Sequence, residues 1–203
     1  MAEPLSPRGG DDCPLQRRAV VAEILRERGE RLVVSGLGAP TWDVAAAGDT
    51  PRTFPLWGAM GGAVMVGLGL ALAQPSQRVL VITGDGEMLM GIGALATVAA
   101  MVPTNLAIVV LDNERYGETG MQATHTAGVC DLAGIAIAAG LPRSRTVRRH
   151  ADLEAALPEI RDAPGPVFVD IKVTADDLPL VTPPKDGTHL KERFRRAVLG
   201  ADA

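Results

Sequence analysis

Two short polar segments each follow a run of apolar residues and carry oxygen atoms suited to a cation. Gly84-Asp85-Gly86 follows residues 78–83, and Asn113 follows residues 106–111 together with Asp112. A carboxylate, an amide oxygen, a loop carbonyl and phosphate oxygens would provide the octahedral oxygen set that magnesium prefers. The two segments therefore predict a joint cation and phosphate site, provided that the fold brings them together.

The glycines at this junction predict close approach of the backbone to a phosphate. A Gly-Asp-Gly tripeptide is also common in ordinary turns, so it carries little weight alone. A helix predicted to begin at Glu87 would add the positive end of its dipole to the amides of Gly86 and Glu87. The second oxygen ligand at Asn113 is what favours a binding site over a plain turn.

A second glycine-rich junction, residues 33–40, begins like a dinucleotide-binding fingerprint after a strand. Pro40 and Thr41 stand where that fingerprint opens a helix with its third glycine, and no acidic residue ends a following strand. We therefore interpret these residues as a plain turn at a strand end rather than a nicotinamide or flavin site.

The elements that must position these residues alternate along the chain. Short apolar runs rich in β-branched residues predict strands at residues 32–35, 78–83, 106–111 and 167–173. Helices are predicted at residues 15–28, 61–73, 88–101, 131–139 and 152–161. Such alternation indicates an α/β fold with a doubly wound parallel sheet and helices on both faces. Because parallel strands end at the same edge, Asp85 and Asn113 are expected to be neighbours.

Composition narrows the class of protein. The chain has 203 residues, 47% of them hydrophobic, and a net charge of -4, which fits one globular domain and offers no basic surface for nucleic acid or anionic membranes. Cys13 and Cys130 show no metal-binding spacing and indicate a reduced compartment. We expect a disordered leader over residues 1–14, a binding domain over 15–178, and a connector with a short basic helix over 179–203 whose charges face solvent. The expected location is the cytoplasm.

Residues 56–73 form an uncharged run of roughly the length that a membrane span requires. Five glycines crowd this run, and Gln74 and Pro75 end it abruptly. Glycines allow close approach of backbones or of a ligand. A buried helix preceded by a tight loop is therefore the better interpretation, and no membrane association is expected.

Taken together, these segments resemble a known family. Gly84-Asp85-Gly86, a helix, a strand and then Asn113 have the spacing of the thiamine diphosphate (TPP) motif shared by thiamine-dependent decarboxylases and carboligases. Residues 58–62, the following Ala/Gly-rich helix and Gln74-Pro75 are similar to the same family and agree in register. The resemblance covers about residues 15–173.

The resemblance implies roles by position. Asp85 and Asn113 would be side-chain ligands of Mg²⁺, and the carbonyl of Arg115 would be a third ligand. Gly84, Gly86 and Glu87 would belong to the turn that binds the diphosphate, although Glu87 replaces the small residue common there.

Two further residues would contact the organic part of the cofactor. Met60 matches the bulky apolar residue that presses the aminopyrimidine against the thiazolium ring; without the resemblance, ordinary core packing would explain it. The carbonyl of Gly58 would accept a hydrogen bond from the pyrimidine amino group.

The segment after Asn113 resembles the small subunit of sulfopyruvate decarboxylase and the matching part of phosphonopyruvate decarboxylase. Thr119 stands where the family places a side chain over the reacting thiazolium carbon. The other polar residues of this segment are expected to bind a sulfonate, phosphonate or carboxylate, and these are Gln122, Thr124, His125 and Thr126. A loop histidine bonded to the backbone is an equally good interpretation of His125.

The resemblance also implies a reaction and a partner. TPP acts as an electron sink, so the expected reaction converts a 2-oxo acid to an aldehyde and carbon dioxide. The family's activating glutamate lies on a pyrimidine-binding domain that nothing in these 203 residues resembles, so a separate subunit would supply it, in αβ pairs. Two alternatives remain: a split carboligase, and a TPP-binding subunit without catalytic activity.

Overall fold

The computed structural model describes residues 14–200; the predicted leader therefore lies outside the described residues, apart from Pro14. The strands are β1 (Leu32–Ser35), β2 (Thr53–Pro55), β3 (Val79–Gly84), β4 (Leu106–Asp112), β5 (Arg115–Tyr116), β6 (Gln122–Ala123), β7 (Ser144–Val147) and β8 (Val167–Lys172). The helices are α1 (Arg17–Ile24), α2 (Ala39–Ala46), α3 (Ala63–Ala73), α4 (Asp85–Met90), α5 (Ala94–Met101), α6 (Leu132–Ala139), α7 (His150–Arg161) and α8 (Gly187–Leu199).

Six strands form one parallel sheet in the order β2-β1-β3-β4-β8-β7, which confirms the doubly wound α/β fold. The central strand β4 is buried along its whole length, as its continuous apolar sequence predicts for a strand covered on both faces. The four predicted strands are all present. The edge strands β2 and β7 were not predicted, because they are short and carry polar residues.

Each face of the sheet packs against its own layer of helices. Alternate residues of one strand point to opposite faces, so Val33 and Leu80 pack with α1 and α7, whereas Val34 and Val81 pack with α3, α5 and α6. The helices α1 and α7 are amphipathic and carry charges. None of α3, α5 and α6 contains a charged residue.

The predicted helix over residues 88–101 is in fact two helices, α4 and α5, and α4 begins at Asp85 rather than at Glu87. The break falls at Gly91 for a steric reason. A Cβ atom there would lie 2.3 Å from the carbonyl oxygen of Gly61, so only glycine allows the loop before α3 to approach this point.

Residues 36–40 also differ from the plain turn predicted for them, because α2 begins at Ala39. Proline is tolerated there since the first-turn N–H groups of a helix have no partner within the helix. The chain thus turns from β1 directly into a helix, and the absence of the third glycine did not prevent it.

The uncharged run at residues 56–73 forms a loop followed by α3, as predicted. A Cβ at Gly67 would lie 2.2 Å from Cγ2 of Val81, so the helix packs directly on β3. Its outer side is not buried, however, and Met65 and Leu72 are 43% and 44% exposed. Within residues 14–200, no helix has the length and apolar character needed to cross a membrane.

The C-terminal helix α8 begins at Gly187, within the segment 179–203 for which a short basic helix is predicted. Asp186 caps it by accepting hydrogen bonds from the amides of Thr188 and His189 at 2.9 and 3.1 Å. Phe194 packs against Phe54 of β2 with ring centroids 5.3 Å apart. Arg193 pairs with Asp49 at 2.7 Å, so the basic residues of α8 do not all face solvent. The domain limit at residue 178 stays a prediction.

Candidate active site

A cleft lies at the carboxyl edge of the central strands. Gly84 at the end of β3 is in register with Leu111 of β4, which places the two predicted ligand segments side by side. The cleft has a volume of about 240 Å³. It is lined by residues 37–40, 84–87 and 115–119, together with Arg17, Met60, Met90, Leu111 and Asn113.

The structure brings together the three predicted metal ligands. Asp85, Asn113 and Arg115 all line the cleft, and Asp85 is only 2% exposed. Burial raises the pKa of Asp85 to about 6, and the nearby Asp112 carboxylate raises it further, whereas hydrogen bonds from Thr124 and Thr126 oppose the shift. A cation at this carboxylate would relieve the cost of its charge.

Asn113 sits in a sharply turned segment after β4. Its Oδ1 accepts a hydrogen bond from the amide of Arg115 at 3.0 Å, and Glu114 between them adopts φ of 61°. In the described part of the chain, no three His, Cys, Asp or Glu side chains converge as a metal site. A metal bound here would therefore need oxygen ligands from amide, carbonyl and phosphate groups as well as from Asp85.

Neighbouring side chains lie close to the backbone of the predicted glycine turn, residues 84–86, so Gly86 cannot be replaced by a residue with a side chain without a shift. A Cβ on Gly86 would lie 2.5 Å from the ring of Tyr116, so the turn and the segment after β4 touch across the cleft. Gly84 faces Pro40, whose Cγ would lie 3.7 Å from an added Cβ. A ligand in the cleft would therefore meet this turn, in which Gly84 and Gly86 carry no side chain.

The side chain of Glu87 has a role that the sequence did not indicate. Its carboxylate accepts hydrogen bonds from the amide of Leu37 at 2.9 Å and the hydroxyl of Thr83 at 2.8 Å, and a longer one from the amide of Ala63 at 3.4 Å. Burial is the main cause that raises the pKa of Glu87, and these hydrogen bonds oppose it. One buried side chain thereby joins β1, β3 and the start of α3.

The two residues predicted to contact the organic part of the cofactor differ in position. Met60 lines the cleft and is 36% exposed, so it is available to a ligand and is not an ordinary core residue. Gly58 is exposed on the same loop but is not among the residues that line the cleft. Its predicted role stays a prediction.

The predicted substrate residues are divided by the fold. Thr119 lines the cleft, and its hydroxyl donates to Oε1 of Gln122 at 2.9 Å, while Gln122 donates to the Thr119 carbonyl at 2.8 Å. Neither Gln122 nor His125 lines the cleft, and His125 is exposed. Thr124 and Thr126 are buried against Asp85 instead of facing a substrate.

The cleft also contains residues that the sequence analysis did not select. The segment 37–40, interpreted as a plain turn, forms one wall. Arg17 of α1 forms part of the wall as well, and it pairs with the fully buried Asp43, which also accepts a hydrogen bond from Arg18 at 2.9 Å. An arginine among the buried positions of an amphipathic helix was the available signal, because such a charge needs a partner.

Comparison with known proteins agrees with this geometry. A family model described as "Thiamine pyrophosphate enzyme, C-terminal TPP binding domain" matches residues 41–171, which include β2 to β4, Asp85 and Asn113. The chain belongs to this family of TPP-binding domains.

Two groups of relatives are similar over most of the chain. Sulfopyruvate decarboxylase subunit beta of Methanothermobacter thermautotrophicus is 39% identical over 189 residues, covering 92% of this chain and 97% of that protein. Phosphonopyruvate decarboxylase of Streptomyces hygroscopicus is 35% identical over 189 residues, and the match covers 92% of this chain but 47% of that protein. The predicted resemblance is confirmed.

Solved structures show the same fold. Benzoylformate decarboxylase of Polynucleobacter necessarius superposes with a TM-score of 0.63 at 21% identity, covering 88% of this chain and 36% of that chain. A Mycobacterium smegmatis protein classed provisionally as a thiamin diphosphate-dependent enzyme superposes with a TM-score of 0.68 at 26% identity, covering 81% of this chain and 32% of that chain.

Proposed function

We propose that this chain is the diphosphate-binding subunit of a split TPP-dependent decarboxylase acting on sulfopyruvate, phosphonopyruvate or a similar 3-substituted pyruvate. The products would be the corresponding aldehyde and carbon dioxide. The observation that carries the proposal is the convergence of Asp85, Asn113 and Arg115 in one cleft at the sheet edge. The substrate class rests on the names of the relatives, all at 35–39% identity in the two groups described above.

The residues present fit TPP and magnesium. Oδ2 of Asp85 accepts a hydrogen bond from the Thr124 hydroxyl, and Oδ1 would be the oxygen that binds the cation. Asn113 and the Arg115 carbonyl would complete the protein's share of an oxygen set suited to Mg²⁺. The turn at residues 84–86, which lines the cleft, would hold the diphosphate, and Met60 would support the ring system. Bound there, TPP supplies the electron sink for decarboxylation.

The remaining residues of the cleft would hold the substrate and limit water. Thr119 lies in the same cleft as the metal ligands and carries a hydroxyl close to Gln122. Arg17 would add positive charge near the anionic groups. His125 and Gln122 do not line the cleft of the isolated chain, and their contact with a substrate stays a prediction.

A partner that carries a pyrimidine-binding domain and the activating glutamate is part of the proposal. The outer surface of α3, α5 and α6 supports it, because several large apolar side chains there are exposed, namely Met65, Val66, Leu72, Met101, Ile135 and Ile137. Exposed apolar surfaces of this kind mark protein interaction sites. Met90 is 63% exposed and also lines the cleft, so the cleft opens beside this surface.

The size of the cleft supports the same conclusion. Its volume of about 240 Å³ is below the roughly 300–1,000 Å³ of typical cofactor sites. A second subunit placed over the cleft would supply the missing walls. We propose an assembly of αβ pairs related by symmetry in the cytoplasm.

The test is reconstitution. The purified chain is mixed with a candidate pyrimidine-domain subunit, Mg²⁺ and TPP, and carbon dioxide and aldehyde are measured with sulfopyruvate and with phosphonopyruvate. Mass spectrometry first establishes that the purified chain contains no second polypeptide. We then expect no turnover from the chain alone and turnover after mixing. Robust turnover by the isolated chain would overturn the split architecture.

The same assay separates the two alternatives. A carboligase would release a longer hydroxyketone rather than free aldehyde; acetolactate synthase isozyme 1 large subunit of Escherichia coli is 30% identical over 145 residues, 25% of that protein. A non-catalytic subunit would bind TPP and Mg²⁺ but stay inactive with every partner and substrate.

A further inference from the structure

Two threonines from the segment after β4 hold one oxygen of Asp85. The hydroxyl of Thr124 donates to Oδ2 of Asp85 at 2.5 Å, and the hydroxyl of Thr126 lies 3.3 Å from the same atom. Both threonines are about 5% exposed or less. These contacts join residues about forty positions apart in the sequence and lie in the interior, where a hydrogen bond to a charged group is strong.

The same pair continues to a second buried carboxylate. The two hydroxyl oxygens are 2.8 Å apart, and Thr126 also lies 2.8 Å from Oδ1 of Asp112. Lys172 of β8 donates to Oδ2 of Asp112 at 2.7 Å and to Glu114 at 3.0 Å. The chain of polar contacts therefore runs from the predicted metal ligand to β4 and then to β8.

The hairpin that precedes the threonines is short. Strands β5 and β6 pair over two residues each, and the residues at its two bends, Glu114 and Met121, adopt φ of 61° and 63°. Left-handed conformations cost free energy in residues other than glycine. Both strands are half-exposed or exposed. The threonine contacts with Asp85 and Asp112 are thus buried attachments of this segment to the sheet edge.

We propose that Thr124 and Thr126 are positioning residues that orient Asp85 for Mg²⁺ and couple cation binding to the order of residues 114–126. This inference rests on the proposed function. Thr124 donates to Oδ2 and Thr126 holds Thr124 in place, so Oδ1 is the oxygen assigned to the cation. Binding of the cation and diphosphate fixes Asp85, and Asp85 in turn fixes the segment that carries Thr119 at the cleft.

The experiment removes the hydroxyls while keeping the side-chain shape. Thr124→Val and Thr126→Val are compared with Thr124→Ser, which keeps the donor, and with Thr188→Val, an exposed residue of α8. Mg²⁺ is titrated into the full chain, with its partner subunit, at a fixed TPP concentration, and binding is followed by calorimetry. We expect Thr124→Val and Thr126→Val to bind Mg²⁺ about 10–100-fold more weakly, as for other residues that orient a metal ligand, with near-parental affinity in Thr124→Ser and Thr188→Val.

Hydrogen exchange provides the second readout. In the parent protein, Mg²⁺ and TPP together should slow amide exchange in residues 114–126, and this protection should be lost in Thr126→Val. Alanine variants at both positions give the same test where a valine does not fold. Parental Mg²⁺ affinity in the hydroxyl-free variants, or an equal loss in Thr124→Ser, overturns the positioning role and leaves the proposed function intact. Failure of the parent protein to bind Mg²⁺ and TPP overturns both.

Discussion

Charged side chains at this sheet edge are held at an energetic cost. Three carboxylates are each 2% exposed or less, those of Asp85, Asp112 and Asp170. The ammonium group of Lys172 donates a hydrogen bond to Asp112. Burial of a carboxylate without a matching charge disfavours its ionised form. Such a cost is typical of sites where a ligand, rather than the fold, supplies the compensating charge.

Asp85 is the residue on which the proposed cofactor site depends. We predict that Asp85→Asn weakens Mg²⁺-dependent TPP binding by more than about 100-fold, because residues that merely orient a metal ligand already contribute 10–100-fold. Calorimetry on the reconstituted complex measures this. Asp177→Asn, which removes an exposed carboxylate, is the control; equal affinity in both variants would exclude Asp85 from the site.

Asp170 provides a pH-dependent prediction. Burial, and next the Asp112 carboxylate, raise its pKa from 3.8 to about 7, and Oδ1 has no hydrogen-bond partner within residues 14–200. The folded state binds the Asp170 proton more tightly than the unfolded state. The resulting contribution to the unfolding free energy is fully present below pH 3.8 and is lost as the pH rises through about 7.

We therefore predict that Asp170→Asn, which stays neutral, reduces the loss of unfolding free energy between pH 5 and pH 8. Urea denaturation of both proteins at the two pH values gives the comparison, with Asp177→Asn as the control for an exposed site. If the parent and Asp170→Asn lose stability equally over this range, the Asp170 carboxylate does not carry the buried proton.

At the scale of elements, α3 shows how glycine sets the distance between a helix and the sheet. Gly67 faces Val81 of β3 with no space for a methyl group, whereas a Cβ on Gly69 would meet nothing within 4 Å. The two glycines are one helical half-turn apart in the same uncharged helix. Close packing at Gly67 also places the loop that carries Met60 beside the cleft.

We predict opposite effects of alanine at these two positions. Gly67→Ala should lower the unfolding free energy by about 1–3 kcal/mol, because the new methyl group displaces α3 or Val81. Gly69→Ala should raise it by roughly 0.5–1 kcal/mol, because alanine favours the helix. Urea denaturation measures both. A stabilising Gly67→Ala would show that the helix can shift without cost.

At the scale of the whole molecule, the two helical layers differ in what they expose. The α1 and α7 layer carries charged residues, while the outer surface of α3, α5 and α6 is uncharged with several exposed apolar side chains. Met60 and Met90, which line the cleft, are exposed and precede α3 and α5 along the chain. The proposed partner subunit would cover this uncharged surface.

We predict that Met65→Lys prevents assembly with the pyrimidine-domain subunit without unfolding the chain. Burying an unpaired ammonium in an apolar interface costs several kcal/mol, so the dissociation constant should rise by at least about 10–100-fold. Analytical ultracentrifugation of the mixed subunits tests this. Leu180→Lys, at an exposed apolar residue outside the three helices, should assemble normally; equal assembly of both variants would place the partner elsewhere.

The sequence alone determined the four inner strands of the sheet and the two segments at their carboxyl ends that line the cleft. Continuous apolar runs such as residues 106–111 become buried strands because only a strand covered on both faces tolerates them. Parallel strands end at one edge, so the neighbouring positions of Asp85 and Asn113 followed from chain order. The glycine spacing and the register of Met60 led to the family.

Tertiary structure decided the partners of individual polar side chains. The attachment of Thr124 to Asp85, of Glu87 to the backbone of Leu37, and the break at Gly91 each depend on contacts between segments far apart in sequence. Residue type and spacing indicate local preference and periodicity. A hydrogen bond between residues tens of positions apart requires that two atoms be placed to within a few tenths of an ångström, and only the packed fold sets that distance.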